Sequence, residues 1–159
     1  MKISLICVGK LKEAYLKAAA EEYKKRLSVY AALEIIETTE QTAPEGLSAA
    51  ERGILLAREA VDIEKRLRPG SYVITLEIGG VQLSSEELEE RLSRLCVQGE
   101  SDFTFIIGGS LGLHERLSNR ARLRLSLSKM TFPHQLVRVI LLEQIYRAFR
   151  IRNNEPYHK

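Results

Sequence analysis

The sequence predicts one α/β domain, a mostly parallel sheet with helices on both faces. Three observations carry this. Short apolar, β-branched runs alternate with helix-period segments along the whole chain. Two Ser-x-x-Glu capping boxes open two of those helical segments. No repeat, low-complexity tract or long linker divides the 159 residues, so a single domain over 1–159 is expected.

The elements follow in order. Residues 3–9, "ISLICVG", form a short apolar run stopped by glycine, which suits a buried strand. Over residues 10–27, Leu16, Ala20, Tyr23 and Leu27 recur with a helical period. "LEIIET" (33–38) is the second strand, and "QTAPEG" is a loop. Ser48 and Glu51 make the first capping box, and Leu56, Ala60, Ile63 and Leu67 give its helix a stripe. "YVITLEI" (72–78) is the third strand. Ser84 and Glu87 make the second box, ahead of a helix marked by Leu88, Leu92, Leu95 and Cys96 that stops at Gly99. "FTFIIGG" (103–109) is the fourth strand, a short helix is expected over 113–119, and "RLRLSLS" (122–128) is a fifth strand. Pro133 suits the first turn of a last helix running to about Arg150.

Composition narrows the class. With 45% hydrophobic and 28% charged residues, an ordinary core is expected. Cys7 and Cys96 are far apart in apolar segments and fit buried thiols; no Cys/His cluster has metal-ligand spacing. The apolar run at the N-terminus is too short for a signal peptide and no run has the ~20 apolar residues of a membrane span, so a cytoplasmic protein is expected. Net charge is +3 but uneven. Residues 120–159 hold nine Lys/Arg against two Glu, hence +7; the first 119 hold 15 against 19, hence −4. Either a polyanion-facing surface or a solvated basic face fits that asymmetry.

Ligands in open α/β sheets bind beyond the carboxyl ends of the strands. Three ends have the right character: "TLEIGG", "IIGGSLG" and "LSLSKMTFPH". The spacing of Gly108, Gly109 and Gly112 is GGxxG, a poor match to dinucleotide folds; the glycines fit either turns or a close backbone approach to a ligand. Residues 127–132 fit either a backbone-lined pocket for an adenine or a plain loop. The last helix, "LVRVILLEQIYRAFR", is apolar almost all round, which points to burial on more than one side and to a two-fold dimer through it. Arg138 shares a face with Leu142, Ile145 and Phe149, so it must be paired or meet a ligand. His134 caps, packs or reacts. His158 lies between Tyr157 and Lys159 in the terminal "NNEPYHK".

Taken together, "FIIGGSLGL", "FPHQLVRVILLEQIYRAFRI" and "NNEPYHK" resemble the ribosomal RNA large-subunit methyltransferase H family, SPOUT-type enzymes that methylate N3 of a pseudouridine in 23S rRNA. The resemblance extends over the whole chain. It implies an α/β knot with a C-terminal trefoil, a homodimer, and S-adenosylmethionine as methyl donor, with no metal. Carried over residue by residue, donor contacts fall on Leu76, Gly108, Leu127, Ser128, Lys129, Met130, Thr131 and Phe132. Tyr157, His158 and Lys159 complete an active site shared between protomers, with Arg138 as a further catalytic candidate. The implied partner is 23S rRNA, within a ribosomal particle. Two other readings fit the same basic segment: a non-catalytic ribosome- or RNA-binding α/β protein, and a nucleotide-binding protein without methyl transfer. Heat on titrating S-adenosylmethionine separates the first reading from both.

Overall fold

The computed structural model describes residues 1–157. Five strands and five helices alternate: β1 (Lys2–Val8), α1 (Ala14–Leu27), β2 (Ala32–Thr38), α2 (Ala49–Glu64), β3 (Tyr72–Gln82), α3 (Ser85–Val97), β4 (Asp102–Ile107), α4 (Glu115–Arg120), β5 (Leu123–Ser126) and α5 (His134–Arg152). The strands form one sheet in the order β2-β1-β4-β3-β5, with every neighbouring pair parallel. Interior strands β1 and β4 are buried along nearly their whole length, as strands covered on both faces must be. Edge strand β2 is buried only at Thr38.

The two-residue period of each strand sorts its side chains between two cores. Ile3, Leu5 and Cys7 of β1, Phe103, Phe105 and Ile107 of β4, and Tyr72 and Ile74 of β3 join α1, α3 and α5. Ile6, Val8, Val73 and Ile106 face the other way, onto Ala60 and Ile63 of α2 and Leu117 of α4. Helices therefore cover both faces, and α5 lies between α1 and α3. Both capping boxes form: Glu51 N–H donates to Ser48 Oγ (3.2 Å) and Glu87 N–H to Ser84 Oγ (3.2 Å), with each glutamate carboxylate accepting the cap residue's N–H in return.

Three boundaries depart from expectation. Helix α1 begins at Ala14, because residues 9–13 turn under β2, where Leu11 N–H donates to Glu37 Oε1 at 3.1 Å. Strand β3 runs to Gln82, because β5 pairs with it in two registers separated by a bulge between Leu76 and Val81. Helix α4 begins only at Glu115, where His114 Nδ1 caps it by accepting from Arg116 N–H.

The apolar circumference of α5 has an explanation within one chain. Leu141, Leu142 and Ile145 are fully buried, Phe149 nearly so, and Tyr146 packs against Tyr23 and Tyr30. A helix wedged between two others and a sheet needs apolar residues on most sides. The dimer expected from that pattern thus loses its sequence argument: Ile145 and Phe149 face the chain's own core.

Candidate active site

Beyond the carboxyl ends of β3, β4 and β5, at the start of α5, lies a cavity of about 700 Å³. Parallel strands that diverge into separate loops leave space at such a point. Leu76, Glu77, Ile78 and Gly79 wall it from β3, and Ile107 to Leu113 from the end of β4. Leu125 to Ser128 and Met130 to Phe132 wall it from β5 and its loop, and Pro133, His134 and Val137 from α5.

Local chemistry sets each wall. After β5, Ser126 Oγ–H donates to the Ser128 carbonyl (2.9 Å) and Met130 N–H donates to Ser128 Oγ (3.0 Å). These side-chain bonds replace strand pairing and turn the chain toward Pro133. After β4, Gly112 N–H donates to the Gly109 carbonyl at 3.1 Å and closes a tight turn. Gly108 packs against that turn so closely that a Cβ there would stand 2.3 Å from the Gly112 carbonyl oxygen. The walls are thus largely backbone and apolar side chains, with hydrogen-bonding groups at the serines, Glu77, Thr131 and His134. A flat heterocycle with a short polar tail fits such a lining. Three exposed apolar side chains, Ile78, Val81 and Met130, are carried by the neighbouring strand end and loop.

Seven of the eight expected donor contacts line this cavity: Leu76, Gly108, Leu127, Ser128, Met130, Thr131 and Phe132. Lys129 is exposed and outside the wall. The expected catalytic set is placed differently. Tyr157 folds back on α5: its hydroxyl is 3.2 Å from Glu143 Oε1, its ring meets Tyr146 edge-on at 5.0 Å, and the Arg147 guanidinium lies 4.7 Å from its centroid. Burial first, and then hydrogen bonding with Tyr23 and the Glu143 charge, push the Tyr157 hydroxyl well above its ordinary value. That phenol is a poor proton acceptor in this setting. Glu143 lies six residues beyond the cavity's last α5 residue, Val137, or roughly 9 Å along the axis. His158 and Lys159 lie outside the described residues.

Arg138 is paired, not open. Only 2% exposed, it donates to Glu37 Oε1 at 2.5 Å and to the Gly9 carbonyl at 3.0 Å. Its guanidinium ties α5 to the ends of β1 and β2. Burial pushes the Glu37 carboxyl up, but Arg138's hydrogen bond, Leu11 N–H and the arginine's charge outweigh it and hold Glu37 below the ordinary value. Beside this pair, burial pushes the Cys7 thiol up to about 12, an unreactive group. With its guanidinium buried and paired, Arg138 presents no free charge to the surface. Arg152 pairs with Glu89 at 3.3 Å and stacks on Phe149.

The family model described as "Predicted SPOUT methyltransferase" matches residues 1–158. The chain belongs to the SPOUT methyltransferases. Among curated relatives, the ribosomal RNA large subunit methyltransferase H of Clostridioides difficile is 56% identical, and that of Acetivibrio thermocellus 52%, each over 100% of both chains. Among solved structures, a probable methylase family protein from Haemophilus influenzae superposes with a TM-score of 0.52 at 14% identity, covering 99% of this chain and 70% of the other. A protein described for 2-OH methylation of C/U34 on tRNA superposes at 0.50 and 12%, covering 97% and 98%. These two likenesses concern the fold.

For this SPOUT methyltransferase, the three strand-end stretches contain the cavity wall apart from Leu113 and Val137, whose apolar character does not separate lining from core. His134 follows Pro133, and nothing in its spacing separates lining from capping. No helix among the described residues is long and apolar enough to cross a membrane. No group of three His, Cys, Asp or Glu side chains among them is placed to hold a metal ion.

Proposed function

We propose that this chain is an S-adenosylmethionine-dependent methyltransferase acting on N3 of a pseudouridine in the large-subunit ribosomal RNA. The supporting observation is the strand-end cavity, walled by seven of the eight donor contacts that the resemblance implies, in a chain matching the named rRNA methyltransferases from end to end. Its volume lies within the range of small-molecule and cofactor sites, and its backbone-rich wall suits an adenine and a ribose. Leu127, Met130, Thr131 and Phe132 would hold the base, and Gly108 and Leu76 the sulfonium side. When bound, the donor supplies an electrophilic methyl group.

The chain's own part is positioning. Holding the target N3 in line with the donor accounts for much of such a rate. N3 of a pseudouridine carries an imide proton, which must leave or whose anion must be stabilised. His158 is proposed as the group that takes it, and Lys159 as the cation that steadies the resulting charge. Tyr157, already packed on α5, would hold the tail rather than accept the proton. The working unit is proposed to be a homodimer in which the tail of one protomer meets the cavity of the other. The tail's last described residue packs away from its own cavity, which supports sharing in trans. The C-terminal trefoil knot, in which the C-terminal segment threads through a loop, is part of the same proposal.

Calorimetry with S-adenosylmethionine, followed by mass mapping of 23S rRNA after incubation with labelled donor, tests the reading. Donor heat and one labelled pseudouridine are expected. RNA binding without donor heat would establish the non-catalytic alternative instead.

A further inference from the structure

Glu40 lies in the loop after β2, far in sequence from every cavity residue, and yet it touches two of the cavity's walls. Its Oε1 accepts from Ser110 N–H at 3.3 Å. The same oxygen stands 3.8 Å from His134 Nε2. Its side chain also rests on two glycines: a Cβ at Gly9 would be 2.8 Å from Glu40 Oε2, and one at Gly109 would be 3.0 Å from Oε1. The carboxylate thus fills a place where the turn after β1, the loop after β4 and the first turn of α5 converge. Ser110 and His134 both line the cavity; Glu40 does not, so it stands behind the wall.

One atom there is out of balance. His134 Nε2 is buried and without a hydrogen-bond partner. A buried polar nitrogen left unpaired is costly, and the nearest acceptor is the Glu40 carboxylate, just beyond hydrogen-bonding reach. Either the Nε2–H tautomer or the imidazolium can donate to it. A small approach of α5's first turn toward Glu40, and so toward the Ser110 that Glu40 holds, completes that bond. The same approach narrows the cavity between Ser110 and His134.

We infer that Glu40 and His134 form a latch behind the cavity: their contact at 3.8 Å already holds the loop after β4 against α5 and tightens into a hydrogen bond when the cavity fills. Glu40 is a positioning residue: it touches neither the cavity nor any reacting atom and acts through Ser110 and His134. The inference rests on the proposed donor site, but its test has a donor-free arm.

In that arm, amide hydrogen exchange is followed in the unliganded protein. Glu40→Ala removes the acceptor of Ser110 N–H and should speed exchange at residues 109–113. His134→Ala touches no Ser110 atom, yet a latch requires that it speed exchange in the same segment. Glu40→Gln keeps an oxygen for both donors and should restore most of the protection. In the second arm, S-adenosylmethionine affinity is measured by calorimetry. Each alanine variant should lose about tenfold, and the double variant little more than either alone, as coupled neighbours do. A loosened fold would instead raise exchange in β1 and β4 as well. Unchanged exchange at residues 109–113 in His134→Ala overturns the latch, as do single losses of affinity that multiply in the double variant. Absence of donor heat in the unaltered protein, with the exchange coupling present, counts against the donor site and leaves the latch standing.

Discussion

Arg138 shows how a residue's need for a partner can be read without the partner being named. Its place on an apolar face requires a partner, and the partner is Glu37, 101 residues away in sequence. Sequence spacing cannot place a contact of that range, so a ligand and an ion pair looked equally good. The structure makes Arg138 a brace, and its loss should act on stability first. Arg138→Met should cost about 2 kcal/mol in urea unfolding, less than a fully buried pair, because the Glu37 side chain is 33% exposed and can rehydrate. The pH dependence has a definite sign. Glu37 is held below its ordinary 4.5 in the folded protein, so the pair's contribution is full above that value. It is lost as pH falls through the lower folded value. The gap between the unaltered protein and Arg138→Met should therefore narrow on acidification below about 4.5. A gap that stays constant or widens there would contradict the assignment. Gly108 lines the cavity, and a Cβ there would meet the backbone of Gly112. Gly108→Val should displace the loop after β4 and weaken donor affinity at least tenfold, with the rest of the fold retained by circular dichroism. Donor affinity equal to that of the unaltered protein would refute this placement.

At the scale of elements, the strands and both capping boxes were legible because they are local. A parallel strand covered on both faces is written as an apolar run, and a capping box needs only four residues. What stayed hidden was set by partners distant in sequence. The late start of α1 depends on Glu37, and the length of β3 depends on where β5 pairs. Helix α5 is the instructive case. Its apolar circumference is a true signal of burial on several sides, but periodicity does not say whether the cover is another chain or the same one. Here α1, α3 and the sheet supply it. Substitutions aimed at a dimer through its buried face would miss. Ile145→Asp places a charge where side-chain exposure is 0% and should unfold the protein, not separate subunits. Leu136→Asp, at a position 37% exposed on the first turn, should leave the melting temperature within a few degrees. Sedimentation and thermal unfolding of the two variants check this. A folded monomer from Ile145→Asp would show that the helix meets its partner through that face after all.

At the scale of the whole molecule, charge and chain direction bear on how the site is completed. By its charge the basic C-terminal segment fits either a polyanion surface or a solvated face, but much of that charge is spent internally. Arg122 pairs with Glu100, Arg138 with Glu37, Arg147 with Glu143, Arg150 with Glu155 and Arg152 with Glu89. Arg120, Arg124 and Lys129 are exposed. The tail leaves the distal end of α5, and Tyr157 binds it to Glu143 and Tyr146 on that helix, away from the cavity at the helix start. Removing Tyr157, His158 and Lys159 therefore strips packing as well as chemistry, and the fold should lose some stability. That makes simple truncation an ambiguous test of catalysis. Mixing two defective chains avoids the ambiguity. One carries Gly108→Val and an intact tail; the other lacks residues 157–159 and has an intact cavity. At a donor concentration well below the Kd of Gly108→Val, each alone should be nearly inactive. If a tail serves the partner's cavity, the mixed dimer has one whole site, and random pairing of equal amounts should restore roughly a quarter of the activity. If each tail serves its own cavity, every site in the mixture lacks one component, and methyl transfer to 23S rRNA should stay at background. Recovery on mixing places the chemistry between two copies of the chain, whereas background activity, with exchange of subunits verified by native mass spectrometry, places it within one.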